Sequence, residues 1–403
     1  MPRISSDPRG QGRVLFLSAF APSLLSGAGA KTAFHEMLAI QGAYPLLLSY
    51  FFTPYEERFN EQIAQDCQEH GVTCVEPIKL GRFMPLLWAI VLFWLPASYV
   101  RRFSLGHLIR LWKLDYRAIY VRDGQALLLG VILGKLRGVP VLVSQADVLV
   151  QMSKRSKDGA KGFLNSAFWA SEYAKLCIWE PILLRSVQAC LVQSEKDAII
   201  VRDLVPAINV RSFQPYLLNN LRFAPNREGG RQVLFWGAMN RKENEDAVLY
   251  YTERIHPEVL RRFPDYKFIV AGISPPPSIM ALQCTSIVVT GFLEDPSDVF
   301  NAATIAVVPL RMGAGIKVKT MECLMMGLPT VATSVGAEGI DLGEAEGLRV
   351  RDSETGLAEA IVYLLESGAR DRAGEIRQQV LDRYSFDRSV RTIHDTIRAF
   401  AGL

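Results

Sequence analysis

The chain has 403 residues, of which 49% are hydrophobic and 21% charged, with 45 basic and 41 acidic side chains. That length points to two domains, because single cores stop growing beyond about 250–300 residues, and the apolar content excludes general disorder. A net charge of +4 excludes wholesale nucleic-acid binding.

At the start, Arg3, Arg9 and Arg13 precede the apolar run Val14–Phe20, and Gly27-Ala28-Gly29-Ala30 follows it. This is the outline of a signal peptide. Pro22 and Ser23 interrupt the run, so a first β-strand with a glycine-rich turn is the preferred reading. Val14–Leu17 then opens a strand–loop–helix unit whose helix covers about Lys31–Gln41. Further short apolar strands are expected at Pro45–Tyr50, Ala118–Val121, Val139–Ser144 and Ala189–Gln193. Separated by helical segments, they indicate a doubly wound parallel sheet.

Within this half, Phe83–Val100 holds eighteen residues without a charge. Leu86–Leu95 is apolar on every helical face, with Pro85 suited to a helix start and Pro96 to its end. Ten helical residues rise only about 15 Å, so the segment cannot span a bilayer. One reading is a buried helix. The favoured one is a monotopic membrane contact, because Lys79 and Arg82 precede the run and Arg101-Arg102 follow it.

The pattern lapses between Ser212 and Arg231, which marks a domain boundary. A second α/β series is expected at Val233–Trp236, Lys267–Ala271, Ile287–Thr290, Ile305–Pro309, Thr330–Thr333 and Leu348–Val350. Helices intervene near Asn244–Ile255, Pro296–Asn301, Lys317–Met326 and Thr355–Glu366, with a last one near Phe386–Phe400. The expected division is 13–215, 229–375 and a terminal segment, 376–403, packing back on the first domain. Six scattered cysteines without a Cys-x-x-Cys pair read as reduced, mostly buried and cytosolic, and no metal site is expected.

Two segments carry chemistry. In Pro309–Pro329 a strand ends, a small-residue loop follows, and a helix begins near Ile316. Helix-start amides and dipole favour an anion, and Gly313 and Gly315 let a phosphate approach the backbone. Lys317 and Lys319 place two cations where they oppose that dipole, which suits a pyrophosphate ligand. Glu322, one turn beyond Lys319, can accept from the vicinal hydroxyls of a ribose. The competing reading is an ordinary amphipathic helix with a surface Lys319–Glu322 pair. In the second segment, Trp236-Gly237-Ala238-Met239-Asn240-Arg241-Lys242-Glu243-Asn244, Asn244 is a candidate helix cap. Arg241 or Lys242 can reach the same pyrophosphate, and the sequence does not separate them.

The ordered matches from Val233–Gly237 through Phe268–Gly272, Val289–Phe292, Val307–Pro309, Gly313–Glu322, Met326–Thr333 and Gly336–Gly339 resemble the nucleotide-sugar domain of GT-B glycosyltransferases, specifically the retaining family 4. The first half resembles it only in layout and in Arg122, Pro140 and Asp147. The resemblance implies two Rossmann-like domains facing across a cleft. It also implies a retaining, metal-independent transferase that needs no cofactor. Its partners would be a nucleotide-sugar donor and a lipid-linked or oligosaccharide acceptor. Lys317, Arg241 and Lys242 would be the catalytic cations. Gly237, Gly313, Ala314, Gly315, Ile316, Lys319 and Glu322 would bind the donor, with Glu322 on the ribose. Where the family has a first glutamate this chain has Ala314, as in a subgroup with a Gly-x-Gly-x-Lys loop linked to exopolysaccharide and surface-glycan assembly.

Gly27, Gly29 and Lys31 suggest a P-loop, but Ala30 and Leu25 stand where its glycines are required. The resemblance turns these residues toward the cleft as acceptor or donor-phosphate contacts. Asp147 is a further cleft candidate, or a helix cap. The expected location is cytoplasmic, peripheral on the inner face of the plasma membrane. A nucleotide-sugar epimerase of the same fold and a catalytically silent assembly scaffold are the rival functions.

Overall fold

The computed structural model describes residues 12–23, 28–54, 56–75, 77–80, 93–160, 162–213, 221–225, 230–313, 315–384 and 386–403. By internal contacts the chain divides into Met1–Leu217 with Phe386–Leu403, and Leu218–Ser385.

The first unit runs β1 (Val14–Ser18), α1 (Ala28–Gln41), β2 (Leu46–Phe52), α2 (Asn60–Glu69), β3 (Thr73–Cys74), β4 (Ile78–Lys79), α3 (Ala97–Val100), α4 (Leu105–Trp112) and β5 (Ala118–Arg122). It continues through α5 (Leu127–Arg137), β6 (Val141–Gln145), α6 (Leu149–Asp158), α7 (Phe163–Leu184), β7 (Ala189–Val192), α8 (Glu195–Leu204) and β8 (Val210–Ser212). The central order is β3-β2-β1-β5-β6-β7-β8, with β4 also on β2, and the described pairs are parallel. Every residue of β1, β2, β5, β6 and β7 is buried. That explains their unbroken apolar runs: a parallel sheet is covered on both faces. One core layer joins the sheet to α4, α5 and α7, and the other joins it to α1.

The second unit runs β9 (Gln232–Trp236), α9 (Lys242–Arg254), α10 (His256–Arg262), β10 (Lys267–Ala271), α11 (Pro277–Met280), β11 (Ile287–Gly291), α12 (Ser297–Ala302) and β12 (Ile305–Val308). Then come α13 (Val318–Met325), β13 (Thr330–Ala332), β14 (Leu348–Val350), α14 (Glu354–Glu366) and α15 (Ala373–Arg383). Its parallel sheet has the order β11-β10-β9-β12-β13-β14, the Rossmann arrangement in which the chain reverses its direction of travel beside its first strand. After it, α16 (Phe386–Ala401) rejoins the first unit, burying Ile393 and Ile397 in the α1 layer, where His394 donates to the Ala39 carbonyl at 2.6 Å.

Several local expectations are corrected. α1 begins at Ala28, so Gly29 lies in a helical turn and not in a phosphate-type loop. The uncharged run falls outside the described residues except for Phe93–Val100. There Phe93–Leu95 is turn and bend rather than helix, and Pro96 caps the start of α3 instead of ending a helix. Among the cysteines only Cys67, Cys190 and Cys323 are buried, while Cys74, Cys177 and Cys284 are exposed. Among the described residues no helix is long and apolar enough to cross a membrane.

Candidate functional site

In an open α/β sheet the crevice lies outside the carboxyl ends of the strands, where the strand order reverses. In the second unit that place is between β9 and β12, and the two segments singled out from sequence are the loops that leave these strands. The β9 strand ends at Trp236 and passes through Gly237 into α9. Gly237 lies against Gly272 beyond β10: a methyl on Gly272, whose φ is 144°, would stand 1.8 Å from the Gly237 carbonyl oxygen. Only glycine permits that approach.

Arg241 stands at the start of α9 in an extended conformation, so the cap position is Arg241 and not Asn244 as expected. Asn244 is buried and donates instead to the Ala238 carbonyl at 2.7 Å, closing the loop on itself. Arg241 is 58% exposed, with a loose 3.5 Å contact to Glu243, and Lys242 is exposed. Both have the freedom to meet a ligand.

On the β12 side, Gly313 (φ 129°) and Gly315 (φ 71°) take backbone conformations that side chains resist, while Ala314 lies outside the described residues. Lys317 follows at the N-cap of α13, which has no side-chain cap. Its ammonium folds beneath the loop, 2.6 Å from the Gly315 carbonyl and 3.2 Å from the Glu338 carboxylate. Ile316 packs against Gly339. Arg311 is held by a two-pronged contact to Asp246, at 3.0 and 2.6 Å, and lies over the Tyr250 ring.

Lys319 makes the connection between the two loops. From the first turn of α13 its ammonium donates to the Asn244 side chain, and it stands 3.2 Å from where a Gly237 side chain would begin. It also lies over the Phe235 ring. Burial lowers its pKa to about 7; Glu243 opposes that shift and Arg241 adds to it. One turn on, Glu322 accepts from the Trp236 indole N–H at 2.8 Å. Lys319 and Glu322 thus face β9 from one side of α13, as their spacing requires.

Sequence reasoning assigned no role to Glu338, Asn244 or Trp236 as partners of Lys317, Lys319 and Glu322. Glu338 and Trp236 fall inside matched motifs. The pairings span 21, 75 and 86 residues, beyond any local pattern.

In the first unit, Lys31 sits half-buried in α1 and Gly27 lies outside the described residues. Asp147 is half-buried beyond β6, but the cap of α6 is Val148. The amides of Leu149 and Val150 are instead taken by the buried carboxylate of Glu180, at 3.1 and 2.7 Å.

Residues 230–367 match the family described as "Glycosyl transferases group 1". A Klebsiella pneumoniae protein named "Uncharacterized 44.6 kDa protein in cps region" is 27% identical over 139 residues. That match takes in 32% of this chain and 36% of the relative, so the chain spans about a third of the curated relative's length. Among solved structures, Anabaena HepE in complex with UDP and glucose superposes with a TM-score of 0.68 at 13% identity, over 96% of this chain and 100% of that one. Sucrose-phosphate synthase from Thermosynechococcus elongatus gives 0.69 at 14% identity over 96% and 99%. TarM gives 0.69 at 10% over 97% and 99%. At such identities the likeness concerns the fold, which is GT-B, as the sequence motifs implied.

Proposed function

We propose that this chain is a glycosyltransferase that moves a sugar from a nucleotide-diphosphate sugar to a glycan or lipid-linked acceptor. We further propose that it retains anomeric configuration, requires no metal ion, and serves surface-polysaccharide assembly. The single observation that carries the reading is Lys319 reaching across the strand-order reversal to the β9 loop, beside Arg241 and Lys242. The "Glycosyl transferases group 1" match covers the same loops. HepE, a structural neighbour, is described with UDP and glucose, which supports a nucleotide donor, and the cps-region relative supports the polysaccharide setting.

The chemistry follows from charge. As the bond to the sugar breaks, negative charge grows on the departing diphosphate, so fixed cations stabilise the transition state more than the ground state. Lys319, Arg241 and Lys242 supply that charge from two loops. Lys317 stiffens the glycine loop from below, its own charge balanced by Glu338. Glu322, oriented by the Trp236 indole, is suited to the ribose hydroxyls. If a donor phosphate oxygen takes the acceptor proton, no protein general base is demanded, and none is assigned.

The membrane contact expected for 83–100 belongs to the same proposal: it would bring the first unit to a lipid-linked acceptor. Its described part includes Phe93 and Trp94, stacked on each other and 69% and 67% exposed.

The test is turnover of nucleotide sugar by the Lys317→Ala chain. The Lys317–Glu338 pair is buried, so the single substitution also strands a carboxylate. The double variant Lys317→Ala/Glu338→Gln removes that complication. Stable protein with turnover reduced at least tenfold is expected. Wild-type turnover in the double variant sinks the assignment of Lys317, and absence of nucleoside-diphosphate binding by the wild-type chain in a thermal-shift panel sinks the transferase.

A further inference from the structure

α7 is 22 residues long, and its outer face has the composition of a core. Phe163 and Leu164 are 86% and 83% exposed, and Phe168, Ile178 and Ile182 are exposed along the same helix. Leu164, Phe168, Ser171, Lys175, Ile178 and Ile182 are spaced alternately by four and three residues, which aligns them in one stripe. Water-facing helices normally place charge there.

The acidic residues of α7 point the other way. Glu172 is buried and accepts from the Ala97 amide at 2.7 Å and from Lys175 at 2.8 Å. Glu180 is fully buried on the α6 amides and Gln145. The outward stripe therefore carries no carboxylate, and its one charged residue, Lys175, is half-buried and paired with Glu172. The adjoining α6 adds exposed Lys154, and Lys157, whose ammonium lies 4.6 Å from the ring of Tyr173 on α7. One acid, Asp158, stands 4.0 Å from Lys157. At one point the stripe is tied to further exposed aromatics, since the Trp179 indole donates to the Trp94 carbonyl at 3.1 Å.

Apolar side chains facing out, acids turned in and lysines at the margin match the chemistry of an anionic lipid surface. Rings and aliphatic chains enter the interface there, and ammonium groups stay with the headgroup phosphates. A 22-residue helix is about 33 Å long. Since its C-terminal half is anchored in the core through Leu176, Leu183 and Leu184, it can only lie along such a surface. We infer that the outer face of α7 is a peripheral docking surface for an anionic bilayer. This deepens the membrane reading proposed for 83–100 and rests on it, but it does not depend on transfer activity.

Flotation of the full chain with phosphatidylglycerol-containing vesicles, against pure phosphatidylcholine, tests it. Wild-type protein is expected to float with the anionic vesicles, less so in high salt. Leu164→Glu/Phe168→Glu is expected to cut partitioning at least tenfold, with the melting temperature unchanged because both side chains are exposed. Leu164→Ser/Phe168→Ser, a milder pair, should show a smaller loss. If wild type floats, Leu92→Glu abolishes binding and both α7 pairs bind normally, the membrane reading stands and the α7 inference falls. If wild type does not float, or floats equally with neutral vesicles, the inference is overturned. It is likewise overturned if wild type is a dimer that the α7 substitutions convert to monomer without altering flotation. The stripe would then be a helix–helix seam between copies of this chain.

Discussion

The two sheets reverse their strand order in the same way, beside their first strands, yet the ends of those strands are furnished oppositely. At β1 and β5 of the first unit, Arg122 is fully buried with its Nε 2.9 Å from Glu36. Thr32 accepts from the same guanidinium at 2.7 Å, and the Tyr120 hydroxyl donates to Glu36 at 2.8 Å. Asp123, the next residue, is buried with a φ of 77°. Charge there is consumed internally. At β9 and β12 of the second unit, Lys319 leans on a neutral amide and a ring, and Arg241 and Lys242 face water. The topology supplies a crevice in both cases, and the side chains decide whether it is sealed by an ion pair or left positive for an anion.

The largest expected effect breaks the sealed end. Arg122→Met should destabilise the first unit by about 3–5 kcal/mol, because it leaves the Glu36 carboxyl buried without its cation. Arg122→Met/Glu36→Leu should recover most of that loss in denaturant unfolding. Nucleoside-diphosphate affinity should be unchanged in both variants, and a drop would erase the contrast between the two strand ends. Next in size, Lys319→Ala should lower turnover roughly 10²–10³-fold, the range for removing one group that stabilises transition-state charge. An effect of Lys319→Ala on stability alone would make Lys319 a packing residue.

Acidity should then separate the two regions. In the first unit, His107 is buried and contacts the Ser49 hydroxyl at 2.8 Å. Burial, with Arg110 adding to it, pushes its pKa down to about 4. Its folded-state pKa lies below the unfolded value, so the unfolded chain takes up the proton first as pH falls. Its contribution is intact above the ordinary histidine range and is lost toward pH 4. The first unit should lose on the order of 2 kcal/mol by about pH 5, with a flatter profile in His107→Gln. In the second unit the sensitivity lies on the alkaline side. Lys319 is charged only below a pKa of about 7, so nucleoside-diphosphate affinity should fall about tenfold between roughly pH 6 and pH 8. Lys319→Arg should bind with a flat profile, since its charge does not titrate there. A pH-independent wild type would show that Lys319 does not hold the phosphate.

Legibility in the sequence followed the range of the interaction. Uninterrupted apolar runs such as Ile305–Val308 and Phe268–Ala271 announce strands covered on both faces, and the strand bounds agree closely with the expected ones. Glycine-bearing loops after two of those strands also marked where a crevice would form. The short strands β3, β4 and β8, with their exposed or half-buried residues, carry no such signal and went unseen. α7 was hidden for a related reason: its apolar residues face both inward and outward, so no amphipathic period marks it.

By itself, then, the sequence determined the layered parallel architecture and the two cationic loops, because burial on both sheet faces and the φ demands of glycine are written locally. Only the tertiary structure decided that Lys319 meets Asn244, that Lys317 is neutralised by Glu338, that Trp236 orients Glu322, and that Arg122 is spent on Glu36. Hydrogen bonds and charge pairs join whatever side chains the fold brings within about 3 Å, and that proximity has no counterpart in sequence spacing.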